Sequence, residues 1–271
     1  MGLGSRREIE GWISAGRIRV NGKVAELGAQ VRLSDKVEVD GRVVSLRPVG
    51  KTNIRVLLLN KAEGVVCSRH DPEGRPTIFD KLPALPRGRW INIGRLDINS
   101  SGLLLMTNDG ELAHRMMHPS YVLDREYAAR VDSELNRDIQ QILRDGVLLE
   151  DGMARFTDIR HYGGGQRNHW YHVTLLEGRN REVRRLFESQ QMQVSRLKRV
   201  RFGPVVLPSA LKRGQVMEMS PEDIRQLLPL LDLPVPDMDP PDPRQKRRMV
   251  KSVLMPYPPL AERQAQQQKL N

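Results

Sequence analysis

The sequence predicts an α+β protein of two domains, a small helix-and-hairpin module followed by a larger mixed, largely antiparallel sheet, and three observations carry that expectation. The chain has 271 residues, enough for one sizeable core and a smaller one at roughly 150 residues per domain. Near the N-terminus a patterned helix precedes two turn dipeptides, Asn21-Gly22 and Asp40-Gly41, each set between alternating apolar residues, as in short hairpins. From residue 54 onward, strand-like and helix-like segments mix without regular βαβ alternation, which favours α+β over a doubly wound parallel sheet.

In SRREIEGWISAG, Ser5 and Glu8 stand at capping-box spacing, and Ile9, Trp12 and Ile13 line one face. Gly16 can take the left-handed conformation that closes such a helix. Arg6, Arg7, Arg17, Arg19 and Lys23 gather near this helix and the first turn. They would lay a basic face on an RNA backbone; a solvated charged surface is the plainer alternative.

A linker is expected around Pro48-Val49-Gly50-Lys51, and the second domain begins with the apolar run Ile54–Leu59. Further strands are expected at 65–68, 90–96, 102–107, 126–131, 155–161, 170–176, 194–201 and 216–219, with helices at 110–117, 134–145, 180–190 and 222–231. The glycines at 163–165 read as a loop between strands, without the spacing that cradles phosphate. Beyond Pro234 the composition turns to Pro, Gln and basic residues, which predicts a disordered tail. The run RQKRRMVK at 244–251 would either anchor that tail on RNA or simply keep it soluble.

Charge and composition narrow the chemistry. Lys and Arg outnumber Asp and Glu by 44 to 33, a formal net charge of +11, which points to a polyanionic partner, nucleic acid first. No run of 18 apolar residues and no signal-peptide pattern is present, so a cytosolic, membrane-free protein is expected. A single cysteine, Cys67, excludes an internal disulfide and a CxxC metal site. His114 and His118 have the i, i+4 spacing of a metal pair but lack a third ligand. No metal and no cofactor is therefore expected.

The stretch GRLDINSSGLLLMTNDGELAH at 94–114 sets Arg95 and Asp97 just before the turn-forming run Asn99-Ser100-Ser101-Gly102, then drives Leu103–Met106 into a core. Asn108 and Asp109, with Glu111 beyond, supply caps for the next helix, so Asp97 is not needed there. Asp97 either braces the turn or stands on a pocket floor, where small side chains let a ligand lie close.

Two resemblances join these observations. The pattern GSRREIE…AGRIRVNGKVAELG…VDG over residues 2–46 resembles the S4 RNA-binding domain. That domain opens with an earlier helix, so a module shortened at its start is expected over 1–47. The 94–114 stretch, together with NKAEGVVCSRHDPEGRPTIFDKLP (60–83), REYAARV (125–131) and LLEGRNREVRRLFE (175–188), resembles the RsuA/RluB-type ribosomal RNA pseudouridine synthases. Such a catalytic domain would occupy 51–232, leaving the tail at 233–271. DPEGRPTIFDKLP and EGRNREVRRLFE look closest to the members acting on large-subunit ribosomal RNA, and Ala62 stands where relatives often carry proline.

The resemblance implies a cofactor-free isomerase with a central cleft, converting one uridine of 23S ribosomal RNA to pseudouridine. Asp97 would be its essential carboxylate, as nucleophile or as base at the sugar. Arg184 would pair with Asp97 and keep it ionised. Tyr127 would stack on the uracil and assist removal of the C5 proton. Val183, Leu186 and Phe187 stand at i, i+3 and i+4 and should bury, turning Arg181, Arg184 and Arg185 to another, anion-binding side. Arg179 and Arg181 would touch phosphates, and Arg95 would fill the space of the flipped nucleotide or hold its phosphate. The expected partner is 23S ribosomal RNA or a large-subunit assembly intermediate, met by a monomer. Rival readings are a sister synthase for small-subunit RNA, a non-catalytic rRNA-binding assembly factor, and a glycosidase or glycosylase pairing Asp97 with a second carboxylate.

Overall fold

The structure is a computed structural model that describes residues 6–44, 54–86, 88–236 and 252–270. It divides into two compact units, residues 1–53 with 84–89 and residues 54–83 with 90–271. The Ser5 cap, the Arg6 side chain, the linker at 48–51 and the basic run at 244–251 lie outside the described residues.

In the first unit, helix α1 (Arg6–Ser14) precedes strands β1 (Ile18–Val20), β2 (Lys23–Val24), β3 (Val37–Val39) and β4 (Arg42–Val44). They form an antiparallel sheet in the order β2-β1-β3-β4. Both turn dipeptides place two successive residues at positive φ, 51° and 81° at Asn21-Gly22 and 50° and 76° at Asp40-Gly41. Such turns match the twist of the strands they join. The buried apolar side chains described here are Ile18 and Val37, so the core is thin.

The second unit opens with β5 (Val56–Lys61), β6 (Ile91–Ile93) and β7 (Ser101–Thr107), followed by α2 (Gly110–Met117), β8 (Arg125–Val131) and α3 (Arg137–Asp145). The hairpin β9 (Val147–Leu149) and β10 (Gly152–Ala154) comes next, then β11 (Asp158–Gly165), β12 (Asn168–Leu175) and α4 (Glu182–Glu188). The remainder is β13 (Val194–Phe202), β14 (Val205–Val206), β15 (Val216–Glu218), α5 (Pro221–Leu227) and α6 (Leu260–Leu270). A nine-stranded sheet runs β11-β12-β8-β13-β7-β5-β15, with β14 on β13 and β6 on β7. The β13–β7 pairing is parallel and the others are antiparallel, so the α+β, mixed-sheet expectation holds.

β7 is buried along its whole length, which explains its unbroken apolar run, since a central strand covered on both faces need not alternate. Leu103 and Leu105 enter a core with Leu112 and Met116 of α2 and Ile224 and Leu227 of α5. Each such side chain contributes about 1.5–3 kcal/mol by leaving water. Asp109 caps α2 by accepting the Leu112 N–H at 2.7 Å, leaving Asp97 free of that task. Gly102 sits at φ +103°, and a Cβ there would stand 2.2 Å from the Arg199 carbonyl oxygen. Only glycine lets β7 and β13 come this close.

Several expectations need correction. Glycines 163–165 belong to β11, which shifts register between His161 and Gly163; a Cβ on Gly164 would stand 1.9 Å from the Asn168 carbonyl oxygen. Residues 65–68 give only an isolated bridge, Val66 to Thr77. The hairpin β9–β10 had no expected counterpart. Most clearly, residues 252–270 are not a disordered tail. Val253 joins the core, the Val206 N–H donates to its carbonyl at 2.9 Å, and Tyr257 hydrogen-bonds Asp124 at 2.7 Å. The few apolar side chains of a polar segment suffice where a groove with matching hydrogen-bond groups receives them. No helix among the described residues is long and apolar enough to cross a membrane.

Candidate active site

Asp97 follows β6 on a turn in which the Ser100 N–H donates to the Asp97 carbonyl at 3.0 Å. Two buried cations hold that turn from beneath. Lys61, at the end of β5 and fully buried, donates Nζ protons to the carbonyls of Ala62 at 3.0 Å, Asp97 at 3.0 Å and Ser100 at 2.8 Å. Arg184 of α4 donates to the Asn99 carbonyl at 3.0 Å and the Val194 carbonyl at 2.6 Å. Charge-assisted bonds of this kind are stronger than neutral ones, so the backbone beneath Asp97 is rigidly placed.

Asp97 lines a cleft that it shares with Arg95, Ser100, Arg125, Tyr127 and Arg199. Tyr127 is buried in β8 and pairs in register with Arg199 of β13. Phe202 underlies the guanidinium groups of Arg125 at 4.8 Å and Arg199 at 5.1 Å. Glu182 also lines the cleft; burial pushes its carboxyl up, although it accepts the Arg179 N–H at 3.0 Å. Arg95, Arg125, Arg179, Arg181 and Arg199 line the cleft with two carboxylates, Asp97 and Glu182; Glu177 and Glu188 pair Arg179 and Arg181, so the cationic excess rests on Arg95, Arg125 and Arg199.

Asp97 and Tyr127 therefore share one cavity, as expected of them. Arg184 differs from its expected role: it makes no ion pair with Asp97 among the described residues and instead binds backbone carbonyls. Burial, then the like charge of Arg181, push its guanidinium down from its ordinary value, while Asp97 works against both. Burial likewise pushes the Lys61 ammonium down, with Cys67, Asp97 and Glu63 opposing.

The arginines around α4 do not share one anion-binding side. Arg185 forms a two-pronged pair with Asp151 at 2.8 Å. Arg179 is taken up by Glu177 at 2.6 Å and the Met153 carbonyl at 2.7 Å, which braces the β9–β10 hairpin rather than a phosphate. Arg181, exposed on the cleft lining, donates to Glu188 at 2.9 Å, and Arg95 is exposed there as well. In the first unit Arg7, Arg19 and Lys23 are exposed, whereas Arg17 is paired with Asp40 at 2.5 Å. Lys61, Arg125 and Arg199 escaped sequence reasoning. For Lys61 the available signal was a basic residue ending a largely apolar strand; Arg125 and Arg199 lie in strands with other charged residues and carry no such signal.

The second unit is thus a mixed sheet whose central turn sets Asp97 on an arginine-lined cleft beside the buried Tyr127. The family described as RNA pseudouridylate synthase matches residues 55–189, and the S4 domain matches residues 1–37. A crystal structure of a pseudouridylate synthase shares the fold, with a TM-score of 0.57 at 24% identity over 82% of this chain and 94% of that one.

Among curated proteins, ribosomal large subunit pseudouridine synthase B of Pseudomonas aeruginosa is 58% identical over 83% of this chain and 58% of its own length. That of Haemophilus influenzae is 51% identical over 93% and 71%, and that of Escherichia coli K12 is 52% identical over 86% and 81%. The chain belongs to the ribosomal large subunit pseudouridine synthase B family of RNA pseudouridine synthases. It spans 58% of the length of the Pseudomonas relative.

Proposed function

We propose that this chain isomerises a uridine of large-subunit ribosomal RNA to pseudouridine, with Asp97 as the reacting carboxylate. The observation that carries the reading is the cleft common to Asp97 and Tyr127, lined by five arginines. The uridine leaves its stack to enter, at a cost of a few kcal/mol that falls where it is already unpaired. Arg95, exposed on the lining, attracts its phosphates. Asp97 meets the sugar, adding to C1′ or removing a proton from C2′, and the phenol of Tyr127 packs against the base and serves removal of the C5 proton. Lys61 and Arg184 fix the turn so that the carboxylate need not be repositioned during reaction.

The first unit supplies exposed Arg7, Arg19 and Lys23 for the RNA backbone, and the substrate is 23S ribosomal RNA, free or in a partly assembled large subunit. Large-subunit ribosomal RNA tritiated at uracil C5 tests the reading. The expected result is release of one tritium per RNA into water, with pseudouridine at one position and no free uracil. Free base or free sugar would mark a glycosylase, and no release with retained RNA binding would mark an assembly factor; either contradicts the proposal.

A further inference from the structure

Arg199 and Arg125 line the cleft of Asp97 and Tyr127 and donate to backbone carbonyls, with no carboxylate bonded to either among the described residues. Arg199 is 3% exposed. It donates Nε–H to the Leu103 carbonyl at 2.8 Å, and its Nη2 is buried without a protein partner. Arg125 donates Nη1 protons to the carbonyls of Leu123 and Leu176, each at 2.7 Å. Both guanidinium groups stand over the ring of Phe202, and both line the cleft of Asp97 and Tyr127. Burial disfavours the Arg125 cation; Tyr127 and Glu182 oppose this, while the nearby charge of Arg199 adds to it. Two like charges out of water with no carboxylate bonded to them are costly. Their placement on a cavity wall points to negative charge arriving from outside.

Strand register indicates which part of a nucleotide brings that charge. Arg199 lies directly across the β8–β13 ladder from Tyr127, an arrangement that sets Cβ atoms about 4.5–5.5 Å apart. The arginine pair thus accompanies the phenol, while Arg95 is exposed on the lining and available to a phosphate. A base packed on Tyr127 turns its edge to Arg199 and its sugar to Asp97.

We propose that Arg199, supported by Arg125, binds the carbonyl edge of the uracil and stabilises the negative charge that develops on the base as its glycosidic bond breaks. This rests on the isomerase reading above. When N1–C1′ breaks, the bonding pair leaves with the base, giving a uracil anion with charge shared over N1, O2 and O4. The sugar carbon is taken by the Asp97 carboxylate, or C2′ gives it a proton. After the base turns, C5 bonds to C1′, the carboxylate departs or the C2′ proton returns, the C5 proton passes to solvent, and N1 gains one from solvent. No oxidant or reductant enters. A guanidinium has only donors, so it donates to the O4 of uracil and meets the amino group of cytosine donor to donor; the same contact therefore rejects cytidine.

The test compares uridine with 5-fluorouridine at the target position, since 5-fluorouracil is the better-stabilised anion and needs less help. Conversion of N- to C-glycoside is followed in nuclease digests under single turnover for Arg199→Met; on 5-fluorouridine, whose C5 has no proton to lose, the C-glycoside keeps its fluorine and water adds across C6 and N1. The expected loss is about 100-fold or more on uridine, the size seen when one preorganised donor is removed, and markedly smaller on 5-fluorouridine, with RNA affinity retained. Equal losses on the two bases overturn the proposal. So does a loss confined to affinity with a lower salt slope, which would mark a phosphate contact. If thermal melting shows the methionine variant unfolded, Arg199→Lys carries the same two-base comparison, its charge retained and its fork lost. Failure of the unaltered protein to convert uridine overturns the isomerase reading itself, a result distinct from equal losses in the variant.

Discussion

The cations beneath Asp97 and those of the first unit perform opposite tasks with the same charge. Lys61 and Arg184 are buried and bonded to the carbonyls of Asp97, Asn99 and Ser100, so their charge is converted into fixed geometry that salt scarcely screens. Arg7, Arg19 and Lys23 are exposed. Even the paired Arg17 and Asp40 side chains are 44% and 50% exposed, and such pairs contribute little to stability. Charge there acts at a distance, attracting a polyanion and weakening as salt rises. A basic composition thus divides into buried cations that fix a backbone turn and exposed cations that lie open to solvent.

The largest effect that sharpens this contrast is expected at Lys61. Lys61→Met leaves three carbonyls without their donor and loosens the turn bearing Asp97. Single-turnover rates should fall about 100-fold, the scale of an ångström-sized misplacement, with RNA affinity nearly unchanged; an unchanged rate would break the contrast.

A smaller effect is expected where a buried cation does have counter-charges. Arg201 binds Asp124 at 2.6 and 2.8 Å and Glu126 at 3.0 Å, and Tyr257 completes the cluster through Asp124. Burial and the Asp124 charge push the Tyr257 phenol up to about 12 from 10.0. The neutral phenol is the form the fold favours, so its contribution is complete below pH 10 and is lost as pH rises from 10 to about 12. Tyr257→Phe should remove that alkaline component from melting curves and cost about 1 kcal/mol near neutrality.

The smallest effect on the fold belongs to the exposed cations. Replacing Arg19 and Lys23 together by alanine should change stability by no more than about 0.5 kcal/mol. The slope of RNA affinity against salt should fall by about one for each phosphate contact removed. RNA titrations at several salt concentrations measure it, and an unchanged slope would remove these residues from the interface.

What was legible in the sequence follows from how local each signal is. The turn dipeptides, the cap at Asp109 and the buried run 103–106 depend on neighbours in the chain, and the fold uses them as read. The placement of Asp97 and Tyr127 in one cleft came from motif resemblance, and the pairing of β13 with both β7 and β8 brings it about. The functions of Lys61, Arg199 and the ordered segment 252–270 depend on partners distant in sequence, which no local pattern announces. Arg184 is expected from the sequence on the side away from the core as the partner of Asp97; it is buried and bonds carbonyls instead, and carbonyl acceptors carry no sequence signature.

The central claim is that Asp97 reacts from a turn held in place without its help. Asp97→Asn keeps the shape of the side chain and leaves the Lys61 and Arg184 bonds to the backbone intact. The account predicts that this variant melts like the unaltered protein and binds ribosomal RNA with the same affinity and salt slope, yet releases no tritium from C5-labelled uridine. Tritium release at the unaltered rate from a well-purified Asp97→Asn protein would contradict it.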